Sequence, residues 1–314
     1  MFRIVSLTDI HLADKNPISR IDNYCESILN KLEQAKDLCV DRKVDLVLCG
    51  GDIFHIKAPT RNSHYLVSQV IDIFKSFPCL IYIVLGNHDI SQDNINSLPR
   101  QPVNTLLKSG ACHLLNDRSF DNKKIRIFGI DYLTNPDYKN FSKKKSKEEK
   151  VQICVAHVNA SSKFDDLFGE RVYTYQELEN TSPDIFIFGH YHPDQGIEVR
   201  NNKYFVNVGS ISRGSLKKDE LDRVPNLGYI EIDDSYNITC EKYPLNVAKS
   251  EEIFDLELKE KEEKEQEEIE KFVNEMKDKI ITLSDDDDIK NTIKSLSFEK
   301  RIIDKAMSYY EKAT

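Results

Sequence analysis

The chain has 314 residues, of which 39% are hydrophobic and 31% charged, and its formal net charge is −9. This apolar content is enough for a sizeable core and excludes a wholly disordered chain, while the acidic balance excludes a basic protein of the histone type. The longest apolar runs have the length of a strand and fall far short of the ~20 residues that cross a bilayer. Seven scattered cysteines without a Cys-x-x-Cys pair predict free thiols in a reducing compartment. We therefore expect a cytoplasmic protein that is neither secreted nor membrane-bound.

Short apolar runs alternate with helical patterns over the first 250 residues. Two amphipathic helices, with apolar residues three and four apart over 21–39 and 66–77, separate the first three predicted strands. This order predicts parallel pairing, whereas the later strands follow one another quickly and predict a mixed sheet. The expected fold is α/β, a four-layer αββα sandwich of two mixed β-sheets. The predicted strands are residues 2–8, 44–49, 80–85, 125–130, 151–156, 184–188, 204–208, 227–232 and 238–243.

The composition changes near residue 250. Residues 251–314 contain 20 acidic and 12 basic residues, so most of the net charge lies there. Apolar stripes at 269–283 and 289–310 follow a wholly polar segment and predict amphipathic helices. We expect a catalytic domain at 1–245 and a charged helical tail at 246–314, which is a candidate region for docking a partner. The stripes equally allow packing against the core or a homodimer.

Side chains that bind metals follow five of the predicted strands at their C-terminal ends. Strand ends in an α/β sheet line one crevice, so we expect these side chains to converge on one site. Six of the eight histidines lie in or beside these clusters. Imidazole and carboxylate ligands together suit manganese, iron or zinc rather than calcium or an iron–sulfur cluster. The clusters are Asp9 with His11, Asp52, Asn87 with His88 and Asp89, His157, and His190 with His192.

The order Asp-x-His, Gly-Asp, Gly-Asn-His-Asp, a lone His and Gly-His-x-His over residues 9–192 resembles the calcineurin-like metallophosphoesterase superfamily. The resemblance implies that superfamily's fold and a metal-dependent phosphoesterase with two divalent cations, Mn²⁺ first, with Fe²⁺ or Zn²⁺ as alternatives. It also implies that His88 protonates or stabilises the leaving oxygen while Asp89 orients its imidazole. One cation would be held by Asp9, His11, Asp52 and His192, and the other by Asp52, Asn87, His157 and His190.

The segment Gly51-Asp52-Ile53-Phe54-His55, followed by Pro59, resembles the SbcD-type family of DNA repair nucleases. This resemblance implies a Mn²⁺-dependent exonuclease or endonuclease of DNA repair and recombination. An SbcC-like coiled-coil ATPase would dock on its C-terminal helices. His55 would position the nucleotide, and Arg61 and Arg213 are candidate substrate contacts.

The alternative is another enzyme of the same superfamily, acting on phosphoproteins, cyclic nucleotides or small phosphate esters. A metal-free scaffold is disfavoured because no ligand of the pattern is missing.

Overall fold

The computed structural model describes residues 1–91, 94–115, 124–132, 137–145, 147–148, 150–163, 166–167, 169–261, 264 and 303. The chain divides into two compact units, Met1–Phe254 and Asp255–Thr314. The stripes predicted as helices at 269–283 and 289–310 lie outside the described residues, apart from residue 303. No helix in the described part of the chain is long and apolar enough to span a membrane.

The strands of the first unit alternate with longer helices in its N-terminal half, whereas in its C-terminal half they are joined by loops and by two four-residue helices. The strands are β1 (Phe2–Leu7), β2 (Leu46–Cys49), β3 (Leu80–Ile83), β4 (His113–Leu114), β5 (Ile125–Ile130), β6 (Val151–His157), β7 (Ala160–Ser161), β8 (Asp166–Leu167), β9 (Glu170–Arg171), β10 (Tyr173–Thr174), β11 (Ile185–Gly189), β12 (Gly196–Arg200), β13 (Lys203–Asn207), β14 (Asn226–Ile232) and β15 (Ile238–Pro244). The α-helices are α1 (Tyr24–Asp41), α2 (His64–Ser76), α3 (Pro102–Ser109), α4 (Tyr175–Leu178), α5 (Lys218–Leu221) and α6 (Ser250–Ile253). Short 3₁₀ helices span Pro59–Arg61, Ile95–Arg100 and Tyr138–Phe141.

Two large sheets, both mixed, carry the fold. In the first, with strand order β15-β14-β1-β2-β3-β4, the strands β1 to β4 are parallel and β14 and β15 are antiparallel additions. In the second, with order β12-β13-β11-β6-β5, only β12 runs antiparallel to its neighbour. The parallel strands of each sheet therefore point their carboxyl ends toward one edge.

The apolar core lies in three layers around these sheets. Residues such as Ile4, Leu48, Ile153 and Val206 come from both sheets and pack together between them. The outer face of the first sheet is covered by α1, α2 and α3. The outer face of the second sheet carries Phe128, Phe186 and Phe205, which pack against α4 and the 3₁₀ turn at Tyr138–Phe141. This arrangement confirms the predicted four-layer sandwich of two mixed sheets.

All nine predicted strands are present, within a few residues of their predicted ends. Both predicted helices are also present, and side chains cap their first turns: Asn23 accepts from the Glu26 backbone N–H, and Ser63 from that of Leu66. The sequence prediction misses β12 (Gly196–Arg200), a sheet edge whose residues are only partly buried. It also misses the very short strands, which lack a resolvable periodicity. All seven cysteines are free, as predicted.

Candidate metal centre

The carboxyl ends of β1, β2, β3, β6 and β11 bring all five predicted clusters together. The two sheets meet here, because Asp52 follows β2 of the first sheet and His157 ends β6 of the second. Asp52 Oδ2 lies 3.5 Å from His157 Nε2. The convergence predicted from strand ends is therefore present as a cluster of imidazole, carboxylate and amide groups.

The first group of side chains contains Asp9, His11 and His192. Their ligand atoms lie within 4.8 Å of one another, and the two Nε2 atoms of His11 and His192 are 3.0 Å apart. Asp9 Oδ1 lies 3.8 Å from His192 Nε2 and 4.0 Å from His11 Nε2. Both Asp9 and His11 are buried, so this group forms the floor of the site.

The second group surrounds the side-chain oxygen of Asn87. Asn87 Oδ1 is 3.1 Å from His157 Nε2 and 3.1 Å from His190 Nδ1. The other ring nitrogen of His157, Nδ1, donates a hydrogen bond to the Gly50 carbonyl at 2.6 Å. That bond leaves the lone pair of His157 Nε2 directed into the site.

Asp52 lies between the two groups. Its Oδ2 atom is 3.6 Å from His11 Nε2 in the first group and 3.5 Å from His157 Nε2 in the second. Its other oxygen, Oδ1, accepts from the His88 backbone N–H at 2.8 Å. A single carboxylate thus contacts both groups, which is the arrangement expected of a bridging ligand.

The backbone near the ligands is unusual and tightly packed. Gly51 has φ +98°, a conformation that favours glycine and turns the chain directly after β2. Gly86 and Gly189, which also lie beside ligands, do not have a positive φ. These two glycines are required by close approach, since a Cβ atom would lie 2.0 Å from Asp52 Oδ1 at Gly86 and 2.2 Å from the Gly50 carbonyl oxygen at Gly189.

The electrostatics of the cluster favour cations. Burial lowers the pKa of the His11, His157 and His190 imidazoles, which are therefore neutral at pH 7 with lone pairs available. Burial, and then the charge of Asp9, raise the pKa of Asp52 above its ordinary range. Among the residues that the structure describes, only histidines pair with these two carboxylates.

This set of donors fits divalent cations. It consists of buried carboxylates, neutral imidazoles and an amide oxygen that face one another. The mixed nitrogen and oxygen donors suit Mn²⁺, Fe²⁺ or Zn²⁺. The geometry groups the side chains as predicted, with Asp9, His11 and His192 on one side, Asn87, His157 and His190 on the other, and Asp52 between them. The assignment of each side chain to a particular cation stays a prediction.

His88 is oriented by a different group from the one predicted. Its Nδ1 atom donates to the His55 backbone carbonyl at 2.5 Å, and its ring lies in one group with those of His11 and His55, whose ligand atoms are within 4.8 Å of one another. Asp89, expected to orient this imidazole, is buried, and its carboxylate accepts from the backbone N–H groups of Asp52 (2.8 Å), Gly86 (2.9 Å) and Ile53 (3.1 Å). Asp89 therefore holds the loop that carries Asp52, because both of its oxygens accept from backbone N–H groups of that loop.

His55 stands at the rim of the site. It is exposed, and its ring stacks on that of His88 with centroids 5.6 Å apart and lies 5.5 Å from that of His11. Arg61 is also exposed, at the end of the 3₁₀ turn Pro59–Arg61. The roles of His55 and Arg61 toward a substrate stay predictions.

Arg213 is not placed where it could contact a substrate. Its side chain is buried, and its guanidinium donates to the carbonyls of Glu220 (2.8 Å) and Leu221 (2.6 Å) and to the Ser250 hydroxyl (2.6 Å). Its donors are therefore committed within the protein. The sequence-based expectation of a substrate contact is corrected to a role in holding the loop after β13.

Three residues that the sequence analysis did not single out also belong to the site. Tyr132 follows β5, and its ring lies 5.3 Å from that of His190 and 6.0 Å from that of His157. Asp131 accepts from the Leu85 backbone N–H at 2.7 Å. The strand-end rule could have found both, since they follow β5 as the ligands follow their strands. Glu170 contacts His190 at 3.1 Å from the hairpin β8–β9, which no sequence signal marks.

Comparison with known proteins agrees with this geometry. A family model described as calcineurin-like phosphoesterase matches residues 2–194. The DNA double-strand break repair protein Mre11 of Saccharolobus solfataricus is 23% identical over 134 residues, which cover 42% of this chain and 34% of that protein. The chain thus matches about a third of the length of this curated relative.

Solved structures share the fold at low sequence identity. A protein described as a 5′-nucleotidase of Staphylococcus aureus is 14% identical with a TM-score of 0.52, over 78% of this chain and 54% of that one. A dimetal phosphatase of Danio rerio is 12% identical with a TM-score of 0.52, over 79% of this chain and 98% of that one. At these identities the likeness concerns the fold alone.

Proposed function

The chain belongs to the calcineurin-like phosphoesterase family, whose members use two divalent metals, and we propose that it is a Mn²⁺-dependent DNA nuclease of the SbcD type. The observation that carries the proposal is His55, which the Gly-Asp-Ile-Phe-His segment places exposed at the rim, stacked on His88. A rim imidazole beside the proton donor lies where the nucleotide flanking a scissile phosphate would be held. The matched stretch of Mre11 supports the same substrate class.

The residues of the site would divide the work of phosphodiester hydrolysis. Asp9, His11, Asp52 and His192 would hold one cation, and Asp52, Asn87, His157 and His190 the other. The cations, when bound, would lower the pKa of a water and neutralise charge on the phosphate. His88 would give a proton from Nε2 to the leaving oxygen, since its Nδ1–H is already bonded to the His55 carbonyl.

The role of His55 can be separated from that of His88. The contact that orients His88 is the backbone carbonyl of His55, which the substitution His55→Ala retains. We expect this variant, loaded with Mn²⁺, to lose DNA cleavage by about 10²-fold, because positioning errors of about 1 Å can cost that much. Hydrolysis of bis(p-nitrophenyl) phosphate, which needs no positioning of flanking nucleotides, should change little.

The matched control is His64→Ala, which removes an exposed imidazole from the start of α2. It should leave both rates unchanged. If the wild-type protein with Mn²⁺ leaves every DNA form intact and readily turns over a phosphoprotein or a cyclic nucleotide, the alternative phosphoesterase function replaces the nuclease.

We further propose that the segment 246–314 docks an SbcC-like coiled-coil ATPase. The apolar stripes at 269–283 and 289–310 support this partner, because a coiled coil pairs with an amphipathic helix along such a stripe. Co-purification with the ATPase, compared with a chain that lacks the segment, tests the proposal. Self-association of the isolated chain through the same segment would identify a homodimer instead.

A further inference from the structure

Glu170 approaches the metal centre from outside both large sheets. It lies on the hairpin formed by β8 (Asp166–Leu167) and β9 (Glu170–Arg171). In the order of the chain, this hairpin comes after β6, which ends at His157, and before β11, which precedes His190. Its side chain is 55% exposed, yet its Oε2 atom is held by two contacts. It accepts from Asn159 Nδ2 at 2.8 Å and lies 3.1 Å from His190 Nε2.

These contacts determine which nitrogen of His190 can bind a cation. An ionised carboxylate only accepts hydrogen bonds, so the Glu170 contact places the ring proton on His190 Nε2. The lone pair is then on Nδ1, which faces Asn87 Oδ1 at 3.1 Å. Asn159 keeps the Glu170 carboxylate in place, because its amide donates to the same oxygen atom.

We propose that Glu170 is a positioning residue that fixes the tautomer and ring orientation of His190 as a ligand of the second cation. The inference rests on the two-metal site of the proposed function. A carboxylate on the outer nitrogen of a ligating histidine raises its basicity, and loss of such a partner typically weakens metal binding 10–100-fold. His157, by contrast, is held by the Gly50 backbone carbonyl, which no side-chain substitution removes.

The two cation sites therefore differ in what supports them. Asp9, His11 and His192 have no contact with the β8–β9 hairpin among the hydrogen bonds and ion pairs of the described residues. His190 depends on one side chain of that hairpin. Removal of the Glu170 carboxylate should weaken the binding of one cation and leave the binding of the other unchanged.

The test is Mn²⁺ binding by the full chain, measured by titration calorimetry and by the electron paramagnetic resonance signal of a spin-coupled Mn²⁺ pair. Wild type should bind two ions. Glu170→Ala should bind the first ion unchanged and the second about tenfold more weakly, so that the pair signal is lost at low Mn²⁺ and returns at high Mn²⁺. Glu170→Gln should recover part of the affinity, because its amide oxygen can still accept from His190 Nε2.

The matched control is Glu198→Ala, which removes an equally charged, 40% exposed side chain that contacts Ser162 and Arg200 instead of a ligand. It should bind both ions as wild type does. Metal-free Glu170→Ala should unfold at the wild-type temperature, since the residue is exposed, and should gain less stability from Mn²⁺. Wild-type affinity for both ions in Glu170→Ala would overturn the role of Glu170, whereas a wild-type chain that binds fewer than two ions would overturn the two-metal site itself.

Discussion

Four of the predicted ligands have left-handed backbone conformations, which non-glycine residues adopt at a cost. The φ angles are +50° at Asp9, +51° at His11, +54° at Asp52 and +95° at His190. Such conformations cost on the order of 1–3 kcal/mol each and persist only where surrounding structure holds them. Here the loops hold one another, because the Asp9 and His11 backbone N–H groups donate to the carbonyls of Gly51 (3.1 Å) and Asp52 (2.9 Å). The ligand positions are therefore built into the fold.

His88 is predicted to act through a proton. His88→Asn should lower hydrolysis of an aryl diester with an unsubstituted phenol leaving group by on the order of 10²–10⁴-fold. The variant should slow hydrolysis of a diester with a p-nitrophenol leaving group less, because the p-nitrophenolate anion can leave without a proton. Metal content should stay at the wild-type level, since His88 Nδ1 bonds to a carbonyl rather than to the ligand cluster. Equal losses with both leaving groups, measured by stopped assays of product release, would show that His88 is not the proton donor.

Asp52 is predicted to hold both cations. Asp52→Asn keeps the shape of the side chain and removes the charge that lies 3.6 Å from His11 and 3.5 Å from His157. Elemental analysis should find both metals lost. Asn87→Ala is the comparison, and it should weaken binding of the second cation alone, because the Asn87 side-chain oxygen contacts His157 and His190 of the second group. Retention of one metal at full occupancy in Asp52→Asn would refute the bridging role.

At the level of strands and helices, the sequence predicts the features that depend on apolar periodicity and on the positions of strand ends. Nine strands, two helices and the convergence of the ligand clusters follow from apolar runs and from parallel topology. Glu170 and Arg213 do not, because their roles depend on tertiary contacts that neither periodicity nor strand ends encode. Glu170 reaches His190 from a two-residue strand, and Arg213 is committed to carbonyls and to Ser250. An arginine near a phosphate site looks the same in sequence whether it faces the substrate or the core.

Helix α1 is joined to the loop after β13 by a buried lysine. Lys31 donates to the Ile211 carbonyl at 2.7 Å, and burial lowers its pKa to about 7. The charges of Arg20, Arg223 and Arg213 contribute to this lowering, and the charge of Glu220 opposes it. The unfolded chain keeps the proton up to about pH 10.5, so unfolding takes up a proton between about pH 7 and 10.5. Stability from this group therefore rises with pH across that window.

Lys31→Met should remove this pH dependence. The difference in unfolding free energy, wild type minus Lys31→Met, should rise by about 2 kcal/mol between about pH 6.5 and 8.5. Urea unfolding of both metal-free proteins at the two pH values measures this difference. The contributions of groups that titrate alike in the two proteins cancel in it. A difference that stays constant or falls would mean that Lys31 keeps its proton over this range in the folded protein.

For the whole molecule, the first compact unit extends to Phe254, beyond the start of the predicted tail at residue 246. Ser250 accepts from Arg213 at 2.6 Å, and the Ile253 carbonyl accepts from the Ile21 N–H at 3.1 Å. The Phe254 ring is buried under the guanidinium groups of Arg20 and Arg213, at 5.2 and 5.3 Å. These contacts hold residues 250–254 against the loops that follow β1 and β13.

Two truncations should therefore behave differently. A chain that ends at Phe254 should keep the wild-type unfolding temperature of this unit, bind two Mn²⁺ ions and hydrolyse small diesters, while losing any association made through the tail. A chain that ends at residue 248 should be less stable by at least ~3 kcal/mol, because it loses a buried phenylalanine and a hydrogen-bond partner of the buried Arg213. Thermal unfolding, Mn²⁺ titration and diester turnover of both chains measure this. Equal stability of the two chains would show that residues 249–254 add nothing to the fold, and loss of metal binding in the longer one would show that the second unit supports the site.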